Sequence, residues 1–391
     1  MKKLAIIGRG TAGSLAAAHF LKYTDWKIDW YFDNYIKPQA VGEGSNLALP
    51  ISLQRCLNFQ HHNLSEIDGS FKASIYKEGW GKGKIFHHTF PPPELSYHFN
   101  ANKLQDYILS KVKDNSHLTI KEQNITYDEI DSNFILDCSG RPQSYEEFHL
   151  SKYIPVNAVH VNQCYWDHPR FQYTLTIARP YGWIFGIPLQ NRCSIGYMYN
   201  NNINTLEEVK EDIKEIFKQF DLTPSENTNS FSFKNYYRKE NFNGRVAYNG
   251  NASFFLEPLE ATSIQMIDET NKKVFHFLNE NINIEESNFT YNIGMKKRET
   301  MIMLHYFAGS IYDTPFWKYA KERGEKCMIE SLTQKNYQFG ETFRRMIDID
   351  NMCHNQKEFG SWTAVSFQQN IIGLDIKEKL DNLVNNLQLG E

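Results

Sequence analysis

The chain lacks the features of a zinc protein, a disulfide-rich domain and a membrane span. Its six cysteines are far apart in 391 residues, without a Cys-x-x-Cys pair or a histidine at zinc spacing. We therefore expect no metal site, and reduced thiols of a cytoplasmic protein. No stretch approaches the roughly 20 apolar residues that span a bilayer. The apolar run after Lys3 is interrupted at Gly8, which is too early for a signal peptide.

An excess of charge of one sign is also missing. The 42 basic and 46 acidic residues give a formal net charge of −4, so nothing points to nucleic acid as a partner. Repeats, low-complexity tracts and flexible linkers are absent, and the length fits one large domain or two intermingled ones. Aromatic residues make up 14% of the chain. This high fraction indicates aromatic-lined cavities or simply an aromatic-rich core.

The first residues have the pattern of a dinucleotide-binding unit. A short apolar strand over residues 4–7 is followed by the turn Gly8-Arg9-Gly10-Thr11-Ala12-Gly13 and a helix over residues 14–23. Gly8 permits the tight turn, Gly10 lets the backbone approach a pyrophosphate, and Gly13 lets helix and strand pack closely. The helix N-terminus would hold the phosphates.

Two further strands end in polar residues. The strand over residues 27–32 ends at Asp33, about 20 residues past the last glycine, where an acid commonly meets the ribose hydroxyls. Asp33 is equally well explained as a turn residue. The strand that ends at Asp137 leads into Cys138-Ser139-Gly140, which suits the cofactor edge of an open sheet.

Two charged residues have both an ordinary and a catalytic interpretation. Lys72 lies in an alternating segment, residues 71–75, where a lysine is usually on a solvated strand face. Glu260 follows Pro258 and is ordinarily the start of a capped helix, because a carboxylate is favoured there. From the residues alone, the ordinary interpretation is favoured for each.

Segments from Gly8 to Trp317 resemble, in the same order, motifs of the flavin-dependent tryptophan-halogenase-like family. Besides the glycine turn, they are Val41-Gly42-Glu43-Gly44-Ser45, Phe71-Lys72-Ala73-Ser74-Ile75, Tyr97-His98-Phe99-Asn100, Asp137-Cys138-Ser139-Gly140, Trp183-Ile184-Phe185-Gly186-Ile187-Pro188, Phe255-Leu256-Glu257-Pro258-Leu259-Glu260-Ala261-Thr262, His305-Tyr306-Phe307 and Asp313-Thr314-Pro315-Phe316-Trp317. The last 60 or so residues match least well. The chain is also shorter than typical family members, which suggests a compact form like those of virally encoded members.

The resemblance implies an α/β fold: an FAD-binding Rossmann-like domain of the glutathione-reductase type with a mixed sheet, plus a mostly helical substrate-binding region. We assign residues 1–265 to a discontinuous FAD-binding region, interleaved with substrate-site strands, and residues 266–391 to the helical substrate-binding region. The resemblance also implies two cofactors. One is FAD, delivered as FADH2 by a separate flavin reductase, and the other is a halide ion: chloride, bromide or iodide. A small electron-rich aromatic substrate is expected, and a homo-oligomer is left open.

The resemblance also implies roles for individual residues. Lys72 would be the catalytic lysine, as a covalent haloamine or as a hydrogen-bond donor to hypohalous acid, and Glu260 the general base. We expect both side chains to face one substrate cavity. The predicted flavin-binding residues are Gly8, Gly10, Thr11, Ala12, Gly13, Asp33, Gly42, Glu43, Gly44, Ser45, Asp137, Gly140, Asn249 and Gly250. The predicted substrate or tunnel residues are Trp183, Phe185, Ile187, Pro188, Leu256, Pro258, Thr262 and Ser263.

Three residues depart from the family motifs. Phe185 stands in place of a second tryptophan, Asn100 in place of an acid, and Ala261 where several tryptophan-specific members have serine. Two other functions stay open, the first because it shares the nucleotide fold and the second because of these departures. One is an FAD-dependent aromatic monooxygenase, which inserts oxygen and usually binds NAD(P)H itself. The other is a flavin-binding protein without catalysis.

Overall fold

The computed structural model describes residues 2–33, 42–280, 283–333 and 362–388. The chain divides into two compact units, each made of three segments. Unit 1 consists of Met1–Phe71, Leu95–Leu150 and Tyr236–Asn292, and unit 2 consists of Lys72–Glu94, Ser151–Asn235 and Ile293–Glu391. The predicted division after residue 265 concerns the function of the two regions, and it stays a prediction.

The secondary structure of the described residues consists of strands, helices and short 3₁₀ turns. The strands are β1 Lys3–Ile7, β2 Lys27–Phe32, β3 Gly42–Gly44, β4 Ser70–Lys72, β5 Ser74–Glu78, β6 Phe86–Thr89, β7 Ser96–Asn100, β8 Leu118–Glu122, β9 Phe134–Asp137, β10 Phe148–Leu150, β11 Ala158–Tyr165, β12 Thr174–Arg179, β13 Gly182–Pro188, β14 Arg192–Tyr199, β15 Thr223–Ser232, β16 Tyr236–Arg238, β17 Phe242–Asn243, β18 Val246–Tyr248 and β19 Phe254–Phe255. The helices are α1 Thr11–Tyr23, α2 Ala48–Leu57, α3 Ala101–Val112, α4 Leu206–Gln219, α5 Thr262–Glu280, α6 Ile284–Ala308, α7 Pro315–Thr333, α8 Ala364–Gly373 and α9 Lys377–Gln388.

Unit 1 is built on a six-stranded sheet with the order β17-β18-β9-β1-β2-β8. Its strands pair in parallel, except that β17 and β18 form an antiparallel pair. Ile7 lies opposite both Tyr31 and Asp137, and Tyr248 is also opposite Asp137. Because parallel strands point the same way, the carboxyl ends of β1, β2, β9 and β18 meet at one edge. We call this edge the nucleotide edge.

Helices α1 and α3 of unit 1 owe their positions to small residues and to capping. Residues 12–20 of α1 are all buried, and the three successive alanines among them allow close packing. Helix α3 begins after Asn100, whose side-chain oxygen accepts hydrogen bonds from the backbone N–H groups of Asn102 and Lys103. Asn and Asp cap helices about equally well, so the asparagine that replaces the family's acid keeps this helix start.

Unit 2 contains a seven-stranded sheet with the order β15-β11-β14-β13-β12-β5-β6. Its pairs are antiparallel except for β5 and β12. One face packs against α4, whose apolar residues Val209, Ile213 and Ile216 join Ile184 and Ile195 of the sheet in one core. The opposite face is therefore left for the side chains that alternate with that core.

The predicted fold class is confirmed. The expected strand over residues 71–75 is divided at Ala73 into β4 and β5, and the other predicted helices and strands are present, with ends shifted by a few residues. Described residues after 265 form five helices and no strand. Among the described helices, none combines the length and apolarity needed to cross a membrane.

Candidate active site

The turn after β1 is fixed by contacts that exclude side chains. A Cβ on Gly8, whose φ is +99°, would lie 2.4 Å from the carbonyl oxygen of Cys138. A Cβ on Gly13 would lie 2.0 Å from the carbonyl oxygen of Gly8. Gly10 instead has nothing within 4 Å of a Cβ, so its backbone faces open space. This turn fits a pyrophosphate at the N-terminus of α1.

The ends of β9 and β18 are tied to each other. Both carboxylate oxygens of Asp137 accept hydrogen bonds, one from the backbone N–H of Ser139 at 2.8 Å and one from the hydroxyl of Tyr127. The backbone N–H of Asn249 donates to the carbonyl of Asp137 at 2.8 Å. Burial and the Asp137 carboxylate raise the pKa of Tyr127 far above its usual value. Asp137 therefore shapes the nucleotide edge through loop contacts.

Other predicted flavin-binding residues lie at the same edge of unit 1. Asp33 follows β2 directly, and its carboxylate accepts a hydrogen bond from Asn124 at 3.1 Å. Gly250, with a φ of +58°, leaves room for the methyl group of Ala12, which a Cβ would approach to 2.6 Å. The indole N–H of Trp30 donates to the carbonyl of Gly8 at 2.8 Å. Gly140 has a φ of +107° and no neighbour within 4 Å of a Cβ. The sequence motifs thus predicted a group of residues that lie together at the nucleotide edge in the structure.

The glycine loop with Glu43 lies beside the start of α1. In β3, Glu43 is opposite Phe99, and its carboxylate accepts a long hydrogen bond of 3.5 Å from the hydroxyl of Thr11. Burial raises the pKa of Glu43 to about 7, although the Thr11 hydroxyl lowers it. The hydroxyl of Ser45 is fully buried and bonded to Ser96 and to the carbonyl of Tyr97. Val41 lies outside the described residues.

The segment around Glu260 has a strained backbone. Glu260 and Ala261 have φ angles of +72° and +52°, a region that non-glycine residues adopt at a cost of about 1–3 kcal/mol each. Helix α5 begins directly after them at Thr262. Glu260 is 6% exposed and Glu257 is completely buried. Two consecutive strained residues at a buried carboxylate are typical of a functional site.

Glu257 is absent from the residues that the sequence predicted for the site. Its signal was a carboxylate inside the apolar run that ends at Pro258. Leu256 and Thr262 are buried as well, whereas Ser263 is half-buried and Pro258 is exposed. These residues belong to unit 1, together with Glu260.

Lys72 is the last residue of β4 and the first residue of unit 2. Lys72 is 0% exposed, whereas the preceding Phe71 is 40% exposed. The prediction from strand alternation that Lys72 lies on a solvated face is therefore wrong. Its amine lies 5.8 Å from the centre of the Phe90 ring. Lysines are almost never fully buried without a specific reason. Burial therefore makes Lys72 a candidate functional residue.

Strand β13 carries the predicted tunnel residues. Trp183 is 1% exposed, and its ring centre lies 6.3 Å from that of Trp80 and 6.3 Å from that of Phe185. The Phe185 ring covers Gly196, where a Cβ would lie 2.0 Å from it. Strand alternation places Ile187 on the face of Trp183 and Pro188 on the other. We call Trp80, Trp183 and Phe185 the aromatic face of unit 2.

Sequence reasoning did not find a second buried lysine in unit 2. Lys77 in β5 is 0% exposed, and its amine lies 2.6 Å from Nε2 of His305 and also donates to the side-chain oxygen of Asn370. His305 Nδ1 is 3.2 Å from the carbonyl of Met301, which can only accept, so Nδ1 carries the proton and Nε2 accepts from Lys77. The rings of Phe86 and Trp362 lie 5.8 and 5.7 Å from the amine.

A family model described as tryptophan halogenase matches residues 3–131 and 94–386. The two matches together cover nearly the whole chain. The chain belongs to the tryptophan halogenase family. The resemblance predicted from the motifs is thus confirmed, and with it FAD and halide as the cofactors that this family uses.

Curated relatives of this halogenase-family chain match over part of their length. Tryptophan 7-halogenase RebH from Lentzea aerocolonigenes is 28% identical over 155 residues, which cover 38% of this chain and 29% of the relative. Tryptophan 6-halogenase SttH from Streptomyces toxytricini is 28% identical over 156 residues, which cover 39% of this chain and 29% of the relative. The matched stretch thus spans less than a third of either relative.

Solved structures of halogenases share the whole fold. The flavin-dependent halogenase Xcc4156 from Xanthomonas campestris superimposes with a TM-score of 0.78 at 16% identity, covering 100% of this chain and 95% of that one. The flavin-dependent halogenase BrvH from Brevundimonas gives 0.77 at 16% identity, covering 99% and 94%. These similarities show that the chain has the halogenase fold.

Within this halogenase fold, the predicted site residues are divided between the units. Unit 1 contains the predicted flavin-binding residues and Glu260, while unit 2 contains Lys72 and the residues of β13. The shared cavity for Lys72 and Glu260 stays a prediction. Five described cysteines are free thiols, as expected, and Cys353 lies outside the described residues. No cluster of three potential metal ligands occurs in the part of the chain that the structure describes.

Proposed function

We propose that this chain is a flavin-dependent halogenase that acts on a small electron-rich aromatic molecule, such as an indole or a phenol. The turn Gly8 to Gly13, with Asp33 and Gly250, would hold FAD at the nucleotide edge. When bound in its reduced form, with oxygen and halide, FAD supplies hypohalous acid. We further propose that a separate flavin reductase delivers FADH2, and that the enzyme works in the cytoplasm.

The observation that carries this proposal is the complete burial of Lys72 in the family's lysine motif. A buried amine is shielded from water, so it can hold hypohalous acid without competition from solvent. As a charged group, Lys72 would donate a hydrogen bond to the hypohalous oxygen. As a neutral amine, it would take the halogen to form an N–halogen bond, and the oxygen would leave as water.

Glu260 would serve as the general base. When the halogen bonds to the aromatic carbon, that carbon still carries its hydrogen and the ring is positively charged. A carboxylate within reach stabilises this charge and then accepts the proton, which restores the aromatic ring. Its burial and its strained backbone support this role, because they hold the carboxylate in one orientation.

Product analysis tests the proposal. The purified chain is supplied with FADH2, oxygen and bromide, and phenolic and indolic acceptors are analysed by mass spectrometry. We expect monobrominated product. Hydroxylated product without brominated product would instead establish a monooxygenase. Flavin binding without any product across the acceptors would establish a non-catalytic flavin protein.

Paired substitutions test the residue roles. Lys72→Met removes the amine and should abolish brominated product while FAD still binds. Lys77→Met is the matched control, since it removes another fully buried amine of unit 2, and product per folded molecule should persist. Glu260→Gln should lower the rate by about 10²–10⁴-fold. Equal product from the Lys72 variant and the wild type would refute the role of Lys72.

A further inference from the structure

The indole N–H of Trp183 differs from those of four other buried tryptophans. It is inaccessible to solvent and has no hydrogen-bond partner among the described residues. Four other tryptophans, in contrast, donate to backbone carbonyls: Trp30 to Gly8 at 2.8 Å, Trp80 to Thr176 at 3.0 Å, Trp166 to Gln190 at 3.2 Å and Trp317 to Arg179 at 2.7 Å. A carbonyl partner is thus the usual arrangement in this protein.

We propose that the Trp183 indole N–H is the donor of a halide-binding site inside unit 2. A buried donor without a partner costs about 1–3 kcal/mol, so folded proteins seldom retain one that has no use. A ligand that accepts this hydrogen bond would remove the cost. A halide ion is a pure acceptor, and it is the ion that the proposed function consumes.

The surroundings of Trp183 suit a weakly hydrated anion. Trp80 packs against Trp183 with the two ring centres 6.3 Å apart. The edges of aromatic rings carry partial positive charge, which attracts an anion. The centre of the Trp80 ring in turn lies 5.6 Å from that of the His305 ring. An apolar site with few donors replaces little of an ion's hydration. It therefore favours iodide and bromide over chloride, because the larger ions lose less on dehydration.

Indole N–H signals provide a test that needs no catalysis. The full-length chain is labelled with ¹⁵N-tryptophan, and its indole resonances are followed by NMR during titration with sodium bromide. The Trp183 resonance is assigned by its loss in Trp183→Phe. We expect this resonance to shift saturably with bromide, and at lower concentration with iodide. The Trp317 resonance, assigned by Trp317→Phe, should not follow that curve.

Sodium fluoride at the same ionic strength is the matched salt, and it should leave the Trp183 resonance in place. A Trp183 resonance that is insensitive to bromide, or indole resonances that all move together, would overturn the site. Should Trp183→Phe not fold, anomalous scattering from bromide in crystals of the wild type decides. The site requires bromide in contact with the indole nitrogen, and bromide absent from that position overturns it.

The halide site and the proposed function can fail separately. A bromide-sensitive Trp183 resonance in a protein that makes no brominated product would support the site and refute the function. Brominated product from a protein whose Trp183 resonance ignores bromide would refute the site alone.

Discussion

The nucleotide edge of unit 1 and the aromatic face of unit 2, with its neighbouring lysine, position polar groups in opposite ways. At the edge, glycines hold the backbone where side chains do not fit, as at Gly8 and Gly13. Near the aromatic face, the Lys77 amine is held by side chains from two helices, His305 of α6 and Asn370 of α8. We call Lys77, His305 and Asn370 the lysine network. Adding a methyl group should therefore disrupt the nucleotide edge, whereas removing an amine should disrupt the lysine network.

The largest effect is expected from Gly8→Ala. The new methyl group would meet the Cys138 carbonyl at 2.4 Å, and the residue would keep a φ of +99°. Clash and strain together should lower the free energy of unfolding by about 4 kcal/mol, as measured by urea denaturation. Gly10→Ala is the matched control, since its Cβ meets nothing within 4 Å.

Gly10→Ala should change the free energy of unfolding by less than about 1 kcal/mol but should weaken FAD binding, measured by flavin fluorescence. The comparison fails if both alanine variants unfold at the same urea concentration. It also fails if Gly10→Ala binds FAD as tightly as the wild type.

Removing the Lys77 amine from the lysine network should destabilise the fold. Lys77→Met keeps the length of the side chain but leaves the acceptors on His305 and Asn370 buried without their donor. We expect a loss of about 2–3 kcal/mol in the free energy of unfolding. The same change at the exposed Lys103 should cost less than about 0.5 kcal/mol.

A double variant shows whether the loss belongs to the network. Asn370→Leu removes one of the two stranded acceptors, so adding it to Lys77→Met should cost less than the sum of the single changes. Strict additivity of the two changes would mean that Lys77 and Asn370 contribute independently, contrary to the hydrogen bond between them.

The contrast explains what the sequence could and could not predict. Gly8 and Asp33 follow short strands directly, and Gly13 stands at the fixed spacing of the glycine turn, so local spacing was enough to place them at one edge. His305 and Asn370 are separated from Lys77 by 228 and 293 positions along the chain, and no local pattern joins the three residues. Likewise, the positive φ angles at Glu260 and Ala261 fall on residues other than glycine, so no residue type in the sequence signals them.

Glu43 lies beside the start of α1, next to the nucleotide edge, and its carboxyl group makes the stability of this region depend on pH. Its pKa of about 7 exceeds the ordinary 4.5, so between these values the folded chain retains a proton that the unfolded chain has lost. Stability should therefore fall as pH rises from about 4.5 to about 7. Because the side chain is partly exposed, we expect a loss of about 2 kcal/mol, less than the full shift corresponds to.

Glu43→Gln should remove this pH dependence. The variant should match the wild type near pH 4.5 and exceed it at pH 8, by thermal unfolding without flavin. The same difference between the two proteins at both pH values would refute the role of Glu43 in the pH dependence.

The smallest effect should have the opposite sign. Ala261 has a φ of +52°, a conformation that glycine adopts without the steric cost borne by alanine. Ala261→Gly should therefore raise the free energy of unfolding by about 1 kcal/mol. Ala16→Gly in α1, a fully buried helical position of the same unit, should lower it by about 1–2 kcal/mol, because it loses both helix propensity and a packed methyl group. Opposite signs in urea denaturation would show that the strain at Glu260–Ala261 is real and is sustained by unit 1, whereas two losses of equal size would mean that this backbone is relaxed.

If strain also fixes the Glu260 carboxylate, the stabilised Ala261→Gly enzyme should halogenate more slowly than the wild type.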